Sequence, residues 1–430
     1  MFPSNRGWRG RRVGFREFDR RQWQVLAVLM LVNFVNYVDR QIIFSLFPAL
    51  RHDFGLTFAQ LGELATAFTV VLALGTLPLA LLADRFSRRA VIGAGVLFWS
   101  AATFFSGLAG SFRSLLVARG LVGVGEAAYT PAGAAILSST FPKQVRARVQ
   151  GAFDVGMFLG GAAGIGLGGI VAQWLGWRPA FFLVGIPGLI LGLSAFHLPE
   201  PPHRVEEERV PVREMLRIPA YLMILVSGWF SAFAGYAYVA WGPELVQDYK
   251  GFSPRQSGLV LGLTIVIAGL GGIMTGAAFS DRLARVTSWG RAAIVPVGFL
   301  ISAPLIWFAL EATHKVEFVA LFGVGTFFLA WYHGPTTATI HDLVPERARA
   351  TALGLYYLLI NLFSMALAPY VVGRLADRYT LVIALRAAVA AQVMGGLFFI
   401  GVVWLVRRQA QGGWEAERPL SAKVATPGTE

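Results

Sequence analysis

The sequence contains no cysteine, and this absence excludes disulfides, thiolate metal sites and cysteine nucleophiles. The chain is also poor in charge: charged residues make up 14% of it, against about 25% in an average soluble protein. Hydrophobic residues make up 56%, and the mean hydropathy is +0.60. This composition lies far outside the range of soluble globular chains and indicates a polytopic membrane protein.

Long apolar runs recur along the whole chain, each with the roughly 18 or more residues that a helix needs to cross about 30 Å of hydrocarbon. Glycine and proline within these runs do not argue against helices, because membrane helices tolerate both. We predict an all-α polytopic membrane protein with twelve transmembrane helices, at approximately 23–47, 58–83, 90–110, 114–137, 149–172, 179–198, 220–245, 256–280, 292–310, 317–341, 351–373 and 381–405.

The basic residues are distributed as in a membrane protein, although a net charge of +13 would also suit nucleic-acid binding. With an even number of helices both termini lie on one side, which carries 26 of the 37 Lys and Arg residues against nine on the other. The positive-inside rule therefore predicts that both termini are cytoplasmic. The basic tail 1–22 has no A-x-A-like cleavage site, and the run after it is too long for a signal peptide, so we expect helix 1 to be retained.

A polar stretch rich in proline and charge, residues 197–219, divides the chain into two repeats. "ADRFSRR" (83–89) follows helix 2 and "SDRLAR" (280–285) follows helix 8; "FPKQVRARVQG" (141–151) and "VPERARATALG" (344–354) follow helices 4 and 10. Parallel six-helix repeats are typical of transporters whose substrate site lies between the halves. The predicted units are a cytoplasmic basic tail (1–22), an N-terminal half (23–198), a linker (199–219), a C-terminal half (220–405) and a cytoplasmic tail (406–430).

Two charged residues interrupt helix 4, in "RGLVGVGEAAYTP" (119–131). Arg119 and Glu126 lie at hydrocarbon depth, where each ionised group costs roughly 2.5–3.5 kcal/mol. Because they are seven residues apart, they share one face of the helix. Asp39 and Arg40 of helix 1 fall at about the depth of Arg119. We therefore predict a four-charge cluster of zero net charge that faces its own partners or a wet cavity rather than lipid.

Helix 1 also carries a polar stripe, because Asn33, Asn36, Tyr37 and Arg40 follow the i, i+3, i+4, i+7 spacing of one helix face. The charges of the cluster have two interpretations. They are structural ion pairs that fix helix 1 against helix 4, or Glu126 carries a proton across the membrane while hydration and its distance from arginine change. For Glu126 we favour the functional interpretation, and for Asp39 both stay open.

The motifs resemble those of a known family. "ALLADRFSRR" (80–89) is similar to the signature loop of the major facilitator superfamily, with Ala and Ser where glycines are usual. "NYVDR" (36–40), "RGLVGVGEA" (119–127) and the Gly334–Leu353 stretch are similar to the Spinster-like branch, whose members move sphingolipids, lysophospholipids or related amphipaths. The resemblance implies the major facilitator fold and a proton switch at Glu126, with Arg119 as its partner or as an anion anchor; Asp39 joins this proton-coupling set.

Other motifs have plainer readings. "GVGEAA" lies inside a membrane helix, so it is no dinucleotide fingerprint. Glycines every four residues on helix 5, from Gly156 to Gly168, predict close helix packing. His333 and His341 lack the spacing of a metal site, and we expect no metal. The predicted gate and topology residues are Asp84, Arg85, Arg88, Arg89, Arg146, Asp281, Arg282 and Arg349; Asp154 is either part of an inner gate or a structural partner.

Helices 7, 10 and 11 are rich in aromatic residues and show no clear intramembrane acid. A cavity charged on one wall and aromatic on the other suits a ligand with a polar or anionic head and an apolar body. The predicted substrate-binding residues are Arg40, Arg119, Asn33, Asn36, Tyr37, Tyr129, Tyr236, Trp331, Tyr357 and Asn361.

We therefore expect a secondary active transporter, not an enzyme, that moves an amphipathic or lipid-like substrate by alternating access. The alternative is a proton-coupled symporter or antiporter of small organic anions or drugs, with Arg40 and Arg119 as carboxylate clamps. We expect no cofactor, and the expected energy source is a proton gradient. The expected partners are the substrate, protons and the bilayer, with no nucleic acid. The expected form is a monomer in a bacterial inner membrane.

Overall fold

The computed structural model describes residues 18–141, 145–199 and 212–411, and the described chain is helical almost throughout. The N-terminal half comprises α1 (Arg20–Phe54), α2 (Phe58–Arg85), α3 (Arg88–Gly107), α4 (Phe112–Thr140), α5 (Arg146–Leu175) and α6 (Arg178–Ala195). The C-terminal half comprises α7 (Pro219–Tyr249), α8 (Pro254–Ala284), α9 (Gly290–Glu311), α10 (Lys315–Leu343), α11 (Glu346–Arg378) and α12 (Leu381–Ala410). A four-residue helix, Val212–Met215, precedes α7.

Eleven of these helices in the described residues are apolar and long enough to cross a membrane, and α4, with 29 residues, is the twelfth. The predicted all-α fold with two six-helix halves is confirmed. Two predicted spans, 90–110 and 179–198, run past the ends of α3 and α6. Apolarity does not mark a helix end: the apolar Leu108 and Leu198 already belong to the turns that follow.

Polar caps set many of the helix starts. Asp19, Thr57, Ser111 and Ser253 each accept a hydrogen bond from the backbone N–H three residues later, at the starts of α1, α2, α4 and α8. These caps satisfy N–H groups that the first helical turn leaves without intrahelical partners. Each of these four helices therefore begins directly after a polar residue whose side chain caps its first turn.

The predicted glycine face of α5 packs against α1. A Cβ atom on Gly156 would lie 2.8 Å from the Met30 carbonyl oxygen, and one on Gly164 would lie 2.6 Å from that of Val38. Backbones this close leave no room for a side chain. The packing fixes α1, and with it the polar stripe, within the N-terminal half.

The two halves touch at one end of the bundle, which we call the far end. It lies opposite the end at which α1 begins (Arg20) and α12 finishes (Ala410). There the Asp377 carboxylate of α11 accepts hydrogen bonds from the backbone N–H groups of Phe58 (2.7 Å) and Ala59 (2.9 Å) at the start of α2. The start of α8 packs on α5, where a Cβ on Gly258 would lie 2.8 Å from the Ile165 carbonyl oxygen. The space between the halves is thus closed at the far end.

Candidate functional site

Two ion pairs join α1 and α4 inside the N-terminal half. Arg119 Nη1 donates to Asp39 Oδ1 at 2.8 Å, and Arg40 Nε donates to Glu126 Oε2 at 2.7 Å. The structure thus brings together the four charges that the sequence places at similar depth. The pairing differs from the expected one, because the partner of Glu126 is Arg40 and not Arg119. Residues seven apart on one helix are separated by about 10 Å along its axis, too far for direct contact.

The Asp39–Arg119 pair is fully enclosed. Both side chains are buried, and the Thr103 hydroxyl of α3 donates to the second carboxylate oxygen of Asp39. In this conformation the Arg119 side chain is enclosed, so a part in substrate binding requires a change of conformation and stays a prediction. The pair ties α1, α3 and α4 together, which is the structural interpretation left open for Asp39.

The Arg40–Glu126 pair differs in exposure, since 17% of the Arg40 side chain is accessible while Glu126 is fully buried. The Arg40 guanidinium lies 5.0 Å from the Tyr37 ring centre and 5.7 Å from that of Phe68; Arg119 lies 5.2 Å from the same Phe68 ring. The Phe68 ring of α2 thus packs against the guanidinium groups of both pairs, a role that a phenylalanine in an apolar run does not reveal in the sequence.

Glu126 has one carboxylate oxygen without a partner. Oε2 accepts from Arg40, whereas Oε1 is buried and, within the described part of the chain, has no hydrogen-bond partner. A buried carboxylate oxygen left unsatisfied is costly, and adding a proton or a water molecule removes that cost. Among the described residues, Arg40 is therefore the group that hydrogen-bonds the Glu126 carboxylate.

Two glycines of the helix 4 motif set the position of Glu126. A Cβ on Gly123 would lie 2.6 Å from the Phe68 carbonyl oxygen of α2, and one on Gly125 would lie 2.6 Å from the Trp99 backbone nitrogen of α3. The glycines let α4 approach both neighbours closely. The motif therefore combines the acid with the packing that directs it toward α1.

The other predicted polar residues of this half have mostly structural contacts. Asn33 donates to the Phe153 carbonyl at 2.9 Å, and the Tyr129 hydroxyl donates to the Leu29 carbonyl at 2.9 Å; both side chains are buried. These bonds hold both side chains within the helix packing in this conformation, and their expected contact with substrate stays a prediction. Asn36 is buried with its amide nitrogen unpartnered among the described residues, while Tyr37 is partly exposed.

A central cavity lies between the halves, and the C-terminal half supplies most of its wall. Gln41, Phe158 and Ile165 line it from α1 and α5. The other lining residues are Ala232, Gly235, Tyr236, Tyr238, Val239, Leu261, Thr264, Ile265, Gly269, Ile273, Phe322, Thr326, Leu329, Ala330, Tyr332, His333 and Met365. The wall is therefore apolar and aromatic, with hydroxyl, amide and imidazole groups dispersed in it.

The aromatic residues predicted to bind substrate have different positions. Tyr236 lines the cavity, and its ring lies 5.8 Å from that of Phe44 across the interface between the halves. Trp331 does not line it; its ring packs on Phe328, and its backbone lies against Gly276. The expected contact of Trp331 with substrate therefore stays a prediction, and the residue lies in a 3₁₀ turn, Ala330–Tyr332.

Two further predicted residues lie on α11. Tyr357 is half exposed (51%), and its ring packs on that of Tyr356. Asn361 is partly buried within a π-helical segment, Ile360–Met365. Neither residue is part of the lining set. That set does contain Tyr332 and His333, which the sequence analysis did not predict to bind substrate.

The predicted gate residues form local contacts. Arg291 bridges Asp281 (3.7 Å) and Asp342 (2.7 Å), and Arg349 Nε donates to the His341 carbonyl at 3.2 Å. Asp154 accepts from Gln150 of its own helix at 2.9 Å, and the Arg282 guanidinium lies over the Phe279 ring. Arg88 and Arg89 begin α3. The side chains of Asp84, Arg85 and Arg146 lie outside the described part.

A second charged cluster, at the far end, was not predicted. Arg51 of α1 contacts the carboxylates of Glu244 (2.6 Å from Nε) and Asp248 of α7, and it lies 4.7 Å from the Phe58 ring centre. The sequence does hold a signal, because "PALRHDF" (48–54) and "PELVQDY" (243–249) share proline, leucine, aspartate and an aromatic residue at the same spacing. These matching segments of the two repeats meet in the structure, with Arg51 on one and Glu244 on the other.

Comparisons with known proteins agree with this architecture. The family model described as Major Facilitator Superfamily matches residues 29–369. An "MFS-type efflux pump" of Mycolicibacterium smegmatis is 30% identical, with 85% of this chain and 87% of the relative covered. "Protein spinster" of Drosophila melanogaster is 26% identical, with 83% and 62% covered. The crystal structure of a bacterial homolog to the human lysosomal transporter Spinster, inward-facing and unoccupied, aligns with a TM-score of 0.79 at 22% identity over 93% of this chain and 100% of that one.

Proposed function

Because this chain belongs to the Major Facilitator Superfamily, we propose that it couples proton movement to the transport of an amphipathic, lipid-like substrate by alternating access. Membership of this family makes it a membrane transporter of small molecules and not an enzyme. The proposed proton coupling rests on Glu126 and the proposed substrate class on the cavity wall. With both termini predicted in the cytoplasm, the closed far end corresponds to an inward-facing state.

The observation that carries proton coupling is the half-satisfied carboxylate of Glu126. Its bond to Arg40 balances the charge, but its other oxygen is buried without a partner in the described residues. Breaking a buried ion pair leaves an uncompensated charge, which costs roughly 3–5 kcal/mol. If substrate or a change of conformation draws Arg40 away, Glu126 gains by binding a proton, and when Arg40 returns the proton is released.

The cavity wall supports an amphipathic substrate. A purely hydrophilic anion would need a polar partner for each group that it desolvates. The wall offers mainly aliphatic and aromatic side chains, such as Phe322 and Leu329, while Arg40 is the accessible cation of the ion-pair cluster. A head group near Arg40 and an apolar body along the C-terminal half match these two surfaces.

The alternative substrate, a small organic anion or drug, has one observation in its favour. The Arg40 guanidinium is partly accessible and keeps N–H donors beyond the one that bonds Glu126. A carboxylate could replace Glu126 on these donors. The same step would then release Glu126 to bind a proton.

Transport in reconstituted vesicles separates these possibilities. We expect a pH gradient to drive uptake of labelled lysophospholipids or sphingoid bases, with affinity rising along a series of chain lengths. Short dicarboxylates and sugar acids serve as the comparison series. The amphipath proposal fails if affinity is independent of chain length while short acids bind and compete, and proton coupling fails if a pH gradient drives accumulation of neither series.

A further inference from the structure

The far-end cluster of Arg51, Glu244 and Asp248 has an unequal number of charges. One guanidinium contacts two carboxylates, one turn apart on α7, so the fully ionised cluster carries a net charge of −1. Exposure divides the two acids, since a third of the Asp248 side chain is accessible (34%) and none of Glu244 is. Asp248 therefore keeps access to water, whereas Glu244 depends on protein groups for its stabilisation.

The contacts of Glu244 do not fully compensate an ionised carboxylate. Its Oε1 lies 2.6 Å from Arg51 Nε, an ion pair without the angles of a hydrogen bond, and neither oxygen accepts a hydrogen bond from the described residues. A buried carboxylate that shares its cation and lacks hydrogen bonds is costly in its charged form.

The other charged groups near this end have different partners or face solvent. Asp377 of α11 bonds the start of α2, and Arg386 of α12 pairs with Glu311 of α9. Arg255 at the start of α8 is exposed. Arg51 from α1 and Asp248 from α7 are thus the charges that contact Glu244.

The cluster exists only when the far end is closed, because Arg51 belongs to the N-terminal half and both acids belong to the C-terminal half. Separation of the halves would take Arg51 from both carboxylates and expose Glu244 to water, where an ionised form is stable. From this difference we propose that Glu244 is a second proton-binding site, which takes up one proton from the far side as the halves close there and releases it when they open. Closure of the far end is then favoured by acid, independently of Glu126.

The sign of the pH dependence distinguishes this role from that of an ion-pair cluster that only holds the closed state together. If the closed state holds one more proton than the open state, lowering the pH increases the closed-to-open ratio by up to about tenfold per pH unit. If Arg51 instead clamps two ionised carboxylates, acid neutralises them and opens the far end. The two roles therefore predict opposite slopes.

The absence of cysteine makes the measurement direct. Gly110→Cys in the α3–α4 connection and Val316→Cys at the start of α10 are exposed far-end positions, one on each half, and can carry spin labels. Distance distributions between the labels, recorded in nanodiscs from about pH 4 to about pH 8, give the closed fraction across the usual range of carboxyl ionisation. A Glu126→Gln background removes any contribution from the proton at Glu126.

In this background we expect the closed fraction to rise as the pH falls. Glu244→Gln should make it independent of pH and keep it at the acid level, because the amide resembles the protonated acid. Glu311→Gln is the matched control, since Glu311 pairs with an arginine at the same end but within one half, and it should keep the original slope.

Asp248→Asn is the second test and does not require that Glu244→Gln folds. It leaves one carboxylate for one guanidinium, so the acid dependence should weaken. A closed fraction that falls in acid, or an unchanged slope in Glu244→Gln or Asp248→Asn, overturns the proposal. Neither result bears on Glu126, whose test is pH-driven transport.

Discussion

The two halves differ in where they carry charge and in how regular their helices are. In the described residues of the N-terminal half, the six helices are α-helical from end to end. They hold the two ion pairs that join α1 and α4. In the C-terminal half, α7, α8 and α11 contain the π-helical segments Leu245–Tyr249, Ile265–Leu270 and Ile360–Met365. The repeats thus share a fold and two sequence signatures but not their local geometry.

The π-helical segments of the C-terminal half lie at the far-end cluster and at the cavity wall. Leu245–Tyr249 begins beside Glu244 and contains Asp248, and Ile265, Gly269 and Met365 of the other segments line the cavity. π-Helical turns weaken the regular hydrogen bonding of a helix and occur often at functional sites. From this difference we expect the C-terminal half to change shape during transport, while the regular helices of the N-terminal half hold the two ion pairs between α1 and α4 in place.

The largest expected effect is a loss of pH-driven transport when Glu126, in the N-terminal half, is replaced. Glu126→Gln keeps the shape of the side chain but cannot cycle a proton, so uphill transport driven by a pH gradient should be lost. Exchange of substrate down its own gradient should persist, because the cavity wall belongs mainly to the other half. Uptake by reconstituted vesicles, with and without a pH gradient, measures both activities, and Glu311→Gln is the control.

Undiminished pH-driven accumulation by the Glu126→Gln variant would remove Glu126 from coupling. Loss of both activities in a folded variant would make the residue a part of the binding site instead. Either result would contradict the assignment of proton coupling to the N-terminal half and of substrate binding mainly to the C-terminal half.

The enclosed ion pair should matter for stability. Arg119→Leu leaves Asp39 buried without its cation and should destabilise the protein by about 3–5 kcal/mol. Asp39→Asn in the same chain should recover part of the loss, because no unpaired charge then remains. Thermal unfolding of the single and double variants gives the coupling between them, and simple additivity of the two losses would show that the pair is not the source of the stability.

Arg119→Lys is the conservative form of the same test. Lysine keeps the charge but loses the planar group that lies over Phe68 and bonds Asp39, so we expect impaired transport with a smaller loss of stability. Transport and stability equal to those of the original chain would show that a point charge is sufficient at this position.

Close packing around Glu126 predicts a smaller effect. Gly125→Ala places a methyl group 2.6 Å from the Trp99 backbone nitrogen, and such overpacking costs typically about 1–3 kcal/mol. It should also lower transport, because it shifts α4 relative to α1. Gly151→Ala on α5 is the control, since no atom lies within 4 Å of its added Cβ; equal stabilities of the two variants would contradict the packing argument.

The sequence predicts the helices and the charged cluster but not the contacts within it. Hydropathy and spacing need only the period of a helix, so they place Asp39, Arg40, Arg119 and Glu126 at similar depth. Which arginine pairs with which acid depends on the offset and rotation of α1 against α4, to which hydropathy is insensitive. Trp331 shows a similar limit, since helical spacing alone does not tell which aromatic residues line the cavity and which pack between helices. The Arg51–Glu244 contact depends on the conformation, and a single sequence does not specify which end is closed.

The smallest expected effect is a change in substrate affinity per methylene, and it tests the aromatic wall of the C-terminal half. Tyr236 lines the cavity, whereas Trp331 packs between helices. For an amphipathic substrate, each methylene buried along this wall adds about 0.8 kcal/mol to binding. Tyr236→Ala should therefore reduce the gain in affinity per methylene across a series of acyl-chain lengths. Trp331→Ala should keep that gain and instead lower stability, by about 3–5 kcal/mol for a buried tryptophan. Binding titrations and thermal unfolding of both variants measure the two effects, and a flattened chain-length series in Trp331→Ala alone would place the apolar part of the substrate outside the central cavity.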